Sequence, residues 1–231
     1  MSTPPPWLAG VVPALHGDLP DWFTRFAPPP EAERESAVLM LFGERPGSDP
    51  TDPVVEVVLT ERGSALSSHA GQVSFPGGRL DPGEDATTAA LREAQEEVGL
   101  DPASVDVVGV FPPLYLSPSR NSVYPVLAWW REPHDLHIAS PFEVASIERV
   151  AVADLVDPAS RFTVRVGDEY EGYGFDVHGL FVWGFTAHLL EVFLDAAGQT
   201  VPWDEEHVRS LPWKYLRPFV ERRAERSSDD L

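Results

Sequence analysis

Gly78-Arg-Leu-Asp-Pro-Gly-Glu84-Asp-Ala-Thr-Thr-Ala-Ala-Leu-Arg92-Glu93-Ala-Gln-Glu96-Glu97-Val-Gly99-Leu100 is the stretch that decides the fold. Residues Asp85–Val98 predict a helix. Asp85 is suited to the N-cap, where its carboxylate accepts from free first-turn amides. Gly99 is suited to the stop, because glycine tolerates the left-handed conformation that ends many helices. At about 100° per residue, Leu91, Ala94 and Val98 share one face. Glu93, Glu96 and Glu97 gather on the opposite face, at spacings that bring side chains together.

Carboxylates so placed repel one another unless a cation sits among them. On the helix alone, a solvated acidic face is the simpler reading. The lead-in favours another. Phe75-Pro76-Gly77-Gly78 and Gly83 make a glycine-rich approach that can bring backbone close to a metal or a phosphate. Mg²⁺ prefers oxygen ligands, takes few carboxylates, and completes its shell with water and phosphate oxygens.

The segment resembles the Nudix box, G-x5-E-x7-R-E-U-x-E-E-x-G-U with U apolar, at every defined position; Ala94 is a small U. The resemblance implies an α/β fold, a Nudix-type α/β/α sandwich with a curved mixed β-sheet. The helix of Glu93–Glu97 is expected on one side and Leu180–Ala197 on the other. It implies a diphosphatase that is given Mg²⁺ or Mn²⁺ by Glu93, Glu96 and Glu97, with the carbonyl of Gly78 as a further ligand. Arg92 would brace Glu84 and the cluster by ion pairing, so Glu84, Arg92, Glu93, Glu96 and Glu97 form the catalytic set. The general base stays open among Glu93, Glu97 and Glu143, since the family takes it from the box or from a later loop.

The approach to the box narrows the substrate. Leu59-Thr60-Glu61-Arg62-Gly63-Ser64-Ala65-Leu66-Ser67-Ser68-His69-Ala70-Gly71-Gln72-Val73-Ser74-Phe75-Pro76-Gly77-Gly78 resembles the coenzyme A diphosphatase subgroup, L-T-x-R-S/A followed by L-R-x-H-x-G-Q-V-x-F-P-G-G. Coenzyme A or acyl-CoA is the implied substrate. ADP-ribose, NADH and dinucleoside polyphosphates are the alternatives, and a non-catalytic nucleotide-binding module is the alternative of another class. Arg62, His69, Gln72 and Gly77 are the expected substrate-binding residues. His69 also reads as a structural residue bonding its own loop. Two departures stand out: Gly63 where the subgroup has Ser or Ala, and Ser67 where it has Arg.

Further out, Ser36–Phe42 and Val54–Thr60 read as strands of a hairpin with a long polar connection. Later strands are expected at Val105–Phe111, Val123–Trp130 and Val144–Val150, with a helical turn at Val152–Leu155. Arg161–Val166 and Tyr173–Val177 read as a hairpin, and Leu180–Ala197 as a buried helix ended by Gly198. Trp129 is expected in the core and Trp130 on the sheet surface, or the reverse. Residues 1–33, with proline runs Pro4–Pro6 and Pro28–Pro30, read as an extension containing a short helix at Leu19–Phe26. The Nudix domain is expected over 34–200. Residues 201–231 read as a charged peripheral tail, with Trp203, Leu211, Trp213 and Phe219 available to dock it.

Composition bounds the partners. The chain carries 17 basic and 37 acidic residues, a formal charge of −20, which opposes nucleic-acid polymers and anionic membranes. The expected partner is a small nucleotide diphosphate, with a homodimer left open. Cysteine is absent, so thiolate chemistry and disulfides are excluded. The histidines show no ligand spacing for zinc. Neither a signal-like start nor a membrane-length apolar run occurs, and the cytoplasm is the expected compartment.

Overall fold

Two faces of one sheet are apolar in this sequence, and both are covered. In the computed structural model, which describes residues 2–16, 26–29, 34–64, 66, 69–116, 120–167 and 170–216, β1 (Arg34–Glu44) and β7 (Asn121–Trp130) run parallel at the sheet centre. Successive side chains of a strand point to opposite faces. Accordingly Ala37, Leu39 and Leu41 of β1, with Val126, Ala128 and Trp130 of β7, bury under one layer. Met40 and Phe42, with Leu127 and Trp129, bury under the other.

The remaining strands pair antiparallel around this centre. β2 (Val55–Arg62) lies on β1, β3 (Val73–Ser74) and β8 (Val144–Ala151) on β2, and β4 (Gly77–Arg79) on β1. β5 (Val105–Val110) and β6 (Leu114–Leu116) lie on β7. Helix α2 (Ala86–Val98) covers the first face. Helix α4 (Gly184–Ala196) covers the second, where Phe193 stacks on Phe42 at 4.7 Å. The sandwich is thus α/β/α with a mixed sheet. A short α3 (Val152–Val156) follows β8.

Several expectations need correction. Trp129 and Trp130 are both buried, because the sheet is covered on each side. Leu180–Ala197 is not one helix: β11 (Leu180–Trp183) extends the hairpin of β9 (Arg161–Val166) and β10 (Tyr170–Val177), and the chain turns into α4 at Gly184, φ 69°. A continuous apolar run carries no period by which strand and helix can be told apart. In the N-terminal segment, α1 (Pro6–His16) places Leu8 and Val11 in the core of the α4 side. The helix expected at Leu19–Phe26 lies, except for Phe26, outside the described residues.

The packed body also continues past residue 200. β12 (Val208–Ser210) runs parallel to β9, and Leu211 and Tyr215 bury against Phe162 and Val164. Trp203 lies over Arg161 at 4.7 Å, while Trp213 is largely exposed; Phe219 falls outside the described residues. Removing residues 208–231 uncovers this small core. Two buried side chains at roughly 2 kcal/mol each predict a loss of about 4 kcal/mol, read as a lower denaturant midpoint. A truncated chain that melts with the full one would show that the segment is not part of the core.

Candidate active site

Helix α2 sets the site. Its N-cap, Asp85, accepts from the Thr88 amide at 2.8 Å, and its C-cap, Gly99, is left-handed at φ 69°. Ala89, Ala90, Ala94 and Val98 lie flat on the sheet, turning the glutamate face toward the β4 loop. Leu91 is only partly buried at the edge of this contact. Glu97 is the exception on the acidic face: it is buried, 4% exposed.

The loop is built for close approach. A Cβ at Gly77, φ 152°, would stand 2.3 Å from the Ala37 carbonyl oxygen, where β4 pairs with β1. A Cβ at Gly78 would stand 2.4 Å from the Glu93 carboxyl carbon. The Gly77 amide donates to Glu97 Oε2 at 3.0 Å. Glycine is therefore required at Gly77 by the neighbouring backbone, whereas a side chain at Gly78 would displace the Glu93 carboxylate.

Arg92 orders the outer carboxylates. Its Nε and Nη2 donate to the two oxygens of Glu84, each at 3.0 Å. Nη1 donates to Glu93 at 3.0 Å and Glu96 at 3.2 Å, and Nη2 also reaches the Arg79 carbonyl at 2.9 Å. The Asp81 amide donates to Glu84 as well, at 2.9 Å. These bonds, Arg92 first, hold the Glu84 carboxyl below the usual carboxylate range.

The inner carboxylates are shifted the other way. Burial pushes Glu97 up to about 7, against the Gly77 amide and the charge of Arg62, with Glu93 and Glu143 adding repulsion. Burial also raises Glu93, against Arg92, with Glu96 and Glu143 again repelling. Burial is the first cause of both shifts, and the neighbouring carboxylates add to it.

Arg62 ends β2, and its charge acts on Glu97. Its Nε is buried, with no hydrogen-bond partner among the described residues. Its backbone is clasped by the next loop, with Arg62 N–H donating to Gln72 at 2.9 Å and Gly71 N–H donating to Arg62 at 3.0 Å. His69, at φ 57°, is exposed and bonds the Gln72 side chain at 3.0 Å. Among the described residues, His69 and Gln72 pair with each other rather than with the glutamates. Ser67 lies outside them.

Glu143, far along the chain and exposed, is near enough for its charge to bear on the cluster. Its charge acts on both Glu93 and Glu97, and the Ser140 hydroxyl donates to its carboxylate at 3.2 Å. Three hydrogen bonds had no signal in the sequence. The amides of Ala139 and Ser140 donate to the Glu97 carbonyl at 3.0 and 3.4 Å, and the Tyr215 hydroxyl donates to the Gly71 carbonyl.

Among the described residues no three acidic or histidine side chains converge as a closed metal cage. Arg92 Nη1 stands between Glu93 and Glu96, and Glu97 turns to Gly77. The donor set is nonetheless hard oxygen throughout. That fits an ion of the Mg²⁺ class, whose shell is largely water and phosphate oxygen.

Comparison with known proteins follows the same line. The NUDIX domain model matches residues 33–168. A protein of Klebsiella pneumoniae subsp. pneumoniae named Uncharacterized Nudix hydrolase NudL is 36% identical over 186 residues, covering 75% of this chain and 91% of that one. A protein of the same name from Citrobacter koseri is 37% identical over 164 residues, covering 68% and 79%. Among solved structures, the Nudix hydrolase RenU of M. smegmatis aligns with a TM-score of 0.51 at 18% identity, over 74% of this chain and 90% of that one, a likeness of fold. No helix among the described residues is long and apolar enough to cross a membrane.

Proposed function

Since the chain belongs to the Nudix hydrolase family, whose members act on nucleotide diphosphates with divalent metal ions, we propose that it cleaves coenzyme A or an acyl-CoA at the diphosphate, giving 3′,5′-ADP and (acyl-)4′-phosphopantetheine. The observation that carries this reading is the Leu59–Gly78 approach: its subgroup pattern is threaded through the site, from Arg62 beside Glu97 to Gly77 and Gly78 against Glu97 and Glu93.

Glu93, Glu96 and Glu97, with the Gly78 carbonyl, would hold Mg²⁺ or Mn²⁺. Such an ion acidifies water and offsets charge growing on phosphoryl oxygens. Arg62, whose guanidinium charge reaches Glu97, binds a diphosphate oxygen, and Gln72 and His69 shape the loop that receives the substrate. Glu143 takes the proton from the attacking water as the phosphorus–oxygen bridge breaks. Glu84 and Arg92 keep Glu93 and Glu96 apart and oriented.

The test is a substrate panel. With Mg²⁺ or Mn²⁺, coenzyme A and acyl-CoA should be turned over faster than ADP-ribose, NADH or dinucleoside polyphosphates, with products identified by mass. Efficient cleavage of ADP-ribose with coenzyme A untouched would overturn the substrate and leave the family. Ser67→Arg should lower KM for coenzyme A several-fold and more than for ADP-ribose, with kcat little changed, because a guanidinium there adds ground-state phosphate binding. Unchanged KM would show that Ser67 does not face a phosphate.

A further inference from the structure

Gly63 is one residue past Arg62 and departs from the Ser or Ala of the resembling subgroup. Its amide donates to the Glu143 carbonyl at 2.7 Å. The approach is so close that a Cβ at Gly63 would stand 2.2 Å from the Phe142 carbonyl oxygen and 3.1 Å from its carbon. Both are backbone atoms, so no side-chain rotation can relieve the overlap. Restoring ordinary contact requires about 1 Å of backbone movement or more.

The loop that would have to move is fixed at its other end. His137 N–H donates to the Val98 carbonyl at 3.1 Å, and Ala139 and Ser140 donate to that of Glu97, satisfying carbonyls that the end of α2 leaves free. Between these anchors a tight turn forms, with Glu143 and Val144 amides donating to the Ser140 carbonyl at 3.1 and 2.9 Å. The Ser140 hydroxyl holds the Glu143 carboxylate. A displacement at Gly63 therefore falls on Glu143.

We propose that Gly63 and Ser140 are positioning residues: the absent side chain at 63 lets the 139–143 loop close onto the end of β2, and the serine hydroxyl then aims the Glu143 carboxylate at the cluster of Glu93 and Glu97. The proposal rests on Glu143 as the proton acceptor and goes beyond it in naming what holds that carboxylate.

Steady-state kinetics on the full chain with saturating Mg²⁺ test it, using coenzyme A or, if it is not cut, the fastest diphosphate of the panel. Glu143→Gln should lower kcat about a hundredfold, the range of a lost general base. Gly63→Ala should lower kcat by about tenfold or more, as an ångström of misplacement does, with KM within about twofold. Ser140→Ala should act in the same direction more weakly. In the Glu143→Gln background, neither change should slow the enzyme further. Wild-type kcat in Gly63→Ala, or its full effect persisting in the double variant, overturns the proposal. Wild-type kcat in Glu143→Gln overturns instead the assignment of Glu143 as proton acceptor. If Gly63→Ala does not fold, Ser140→Ala decides: an unchanged kcat, or an effect that persists beside Glu143→Gln, overturns the proposal.

Discussion

Glu97→Gln lowers kcat by about a thousandfold or more, and the same change stabilises the metal-free protein at alkaline pH. The loss of rate follows from position. Glu97 is the buried carboxylate of the cluster, bonded to the Gly77 amide of the loop that also carries Gly78. Glutamine keeps the shape and still accepts from Gly77, but it removes the charge to which a divalent ion would be drawn.

The gain in stability follows from burial. The folded chain holds the Glu97 proton to about pH 7, against an ordinary 4.5. Because the folded form binds this proton more tightly, its contribution is fully present below the ordinary value and is lost as pH rises through about 7. The loss is on the order of 3 kcal/mol. Denaturant melts in chelator from pH 5 to pH 8 should show wild type weakening relative to Glu97→Gln, and a divalent ion should reverse the difference. Parallel pH curves for the two proteins in chelator would sink this account.

Arg92→Met is expected to lower kcat about a hundredfold and Arg92→Lys about tenfold, with the melting temperature of both reduced and that of the Met variant reduced more. Arg92 spends its donors on Glu84, Glu93, Glu96 and the Arg79 carbonyl. Lysine retains the charge but has no planar fork to hold both oxygens of Glu84. Methionine leaves Glu84 and Glu93, largely covered by their surroundings, without their shared cation. Added Mg²⁺ should recover part of the lost stability in Arg92→Met, since a cation among the glutamates replaces some of the missing charge. A Met variant that matches wild type in both melting and rate would reduce the network to a surface ion pair.

The sequence by itself determined what is local. Asp85 and Gly99 bound the box helix as their cap chemistry requires, and the helical period alone puts Glu93, Glu96 and Glu97 within reach of one another. The strand positions of β1, β2, β5, β7 and β8 were readable within a few residues from β-branched and apolar runs. The apolar run from Leu180 was not, because only the backbone turn at Gly184 separates its strand from its helix. Nor was the burial of both Trp129 and Trp130, which depends on layers supplied by α2 and α4. The packing of Tyr215 against the Gly71 loop, and the reach of the Glu143 charge to Glu97, join residues far apart in the chain. Periodicity and capping act over one or two turns of backbone. Which distant loop closes on a site is decided by sheet order and steric fit, such as the missing Cβ at Gly63, and these exist only once the chain has folded.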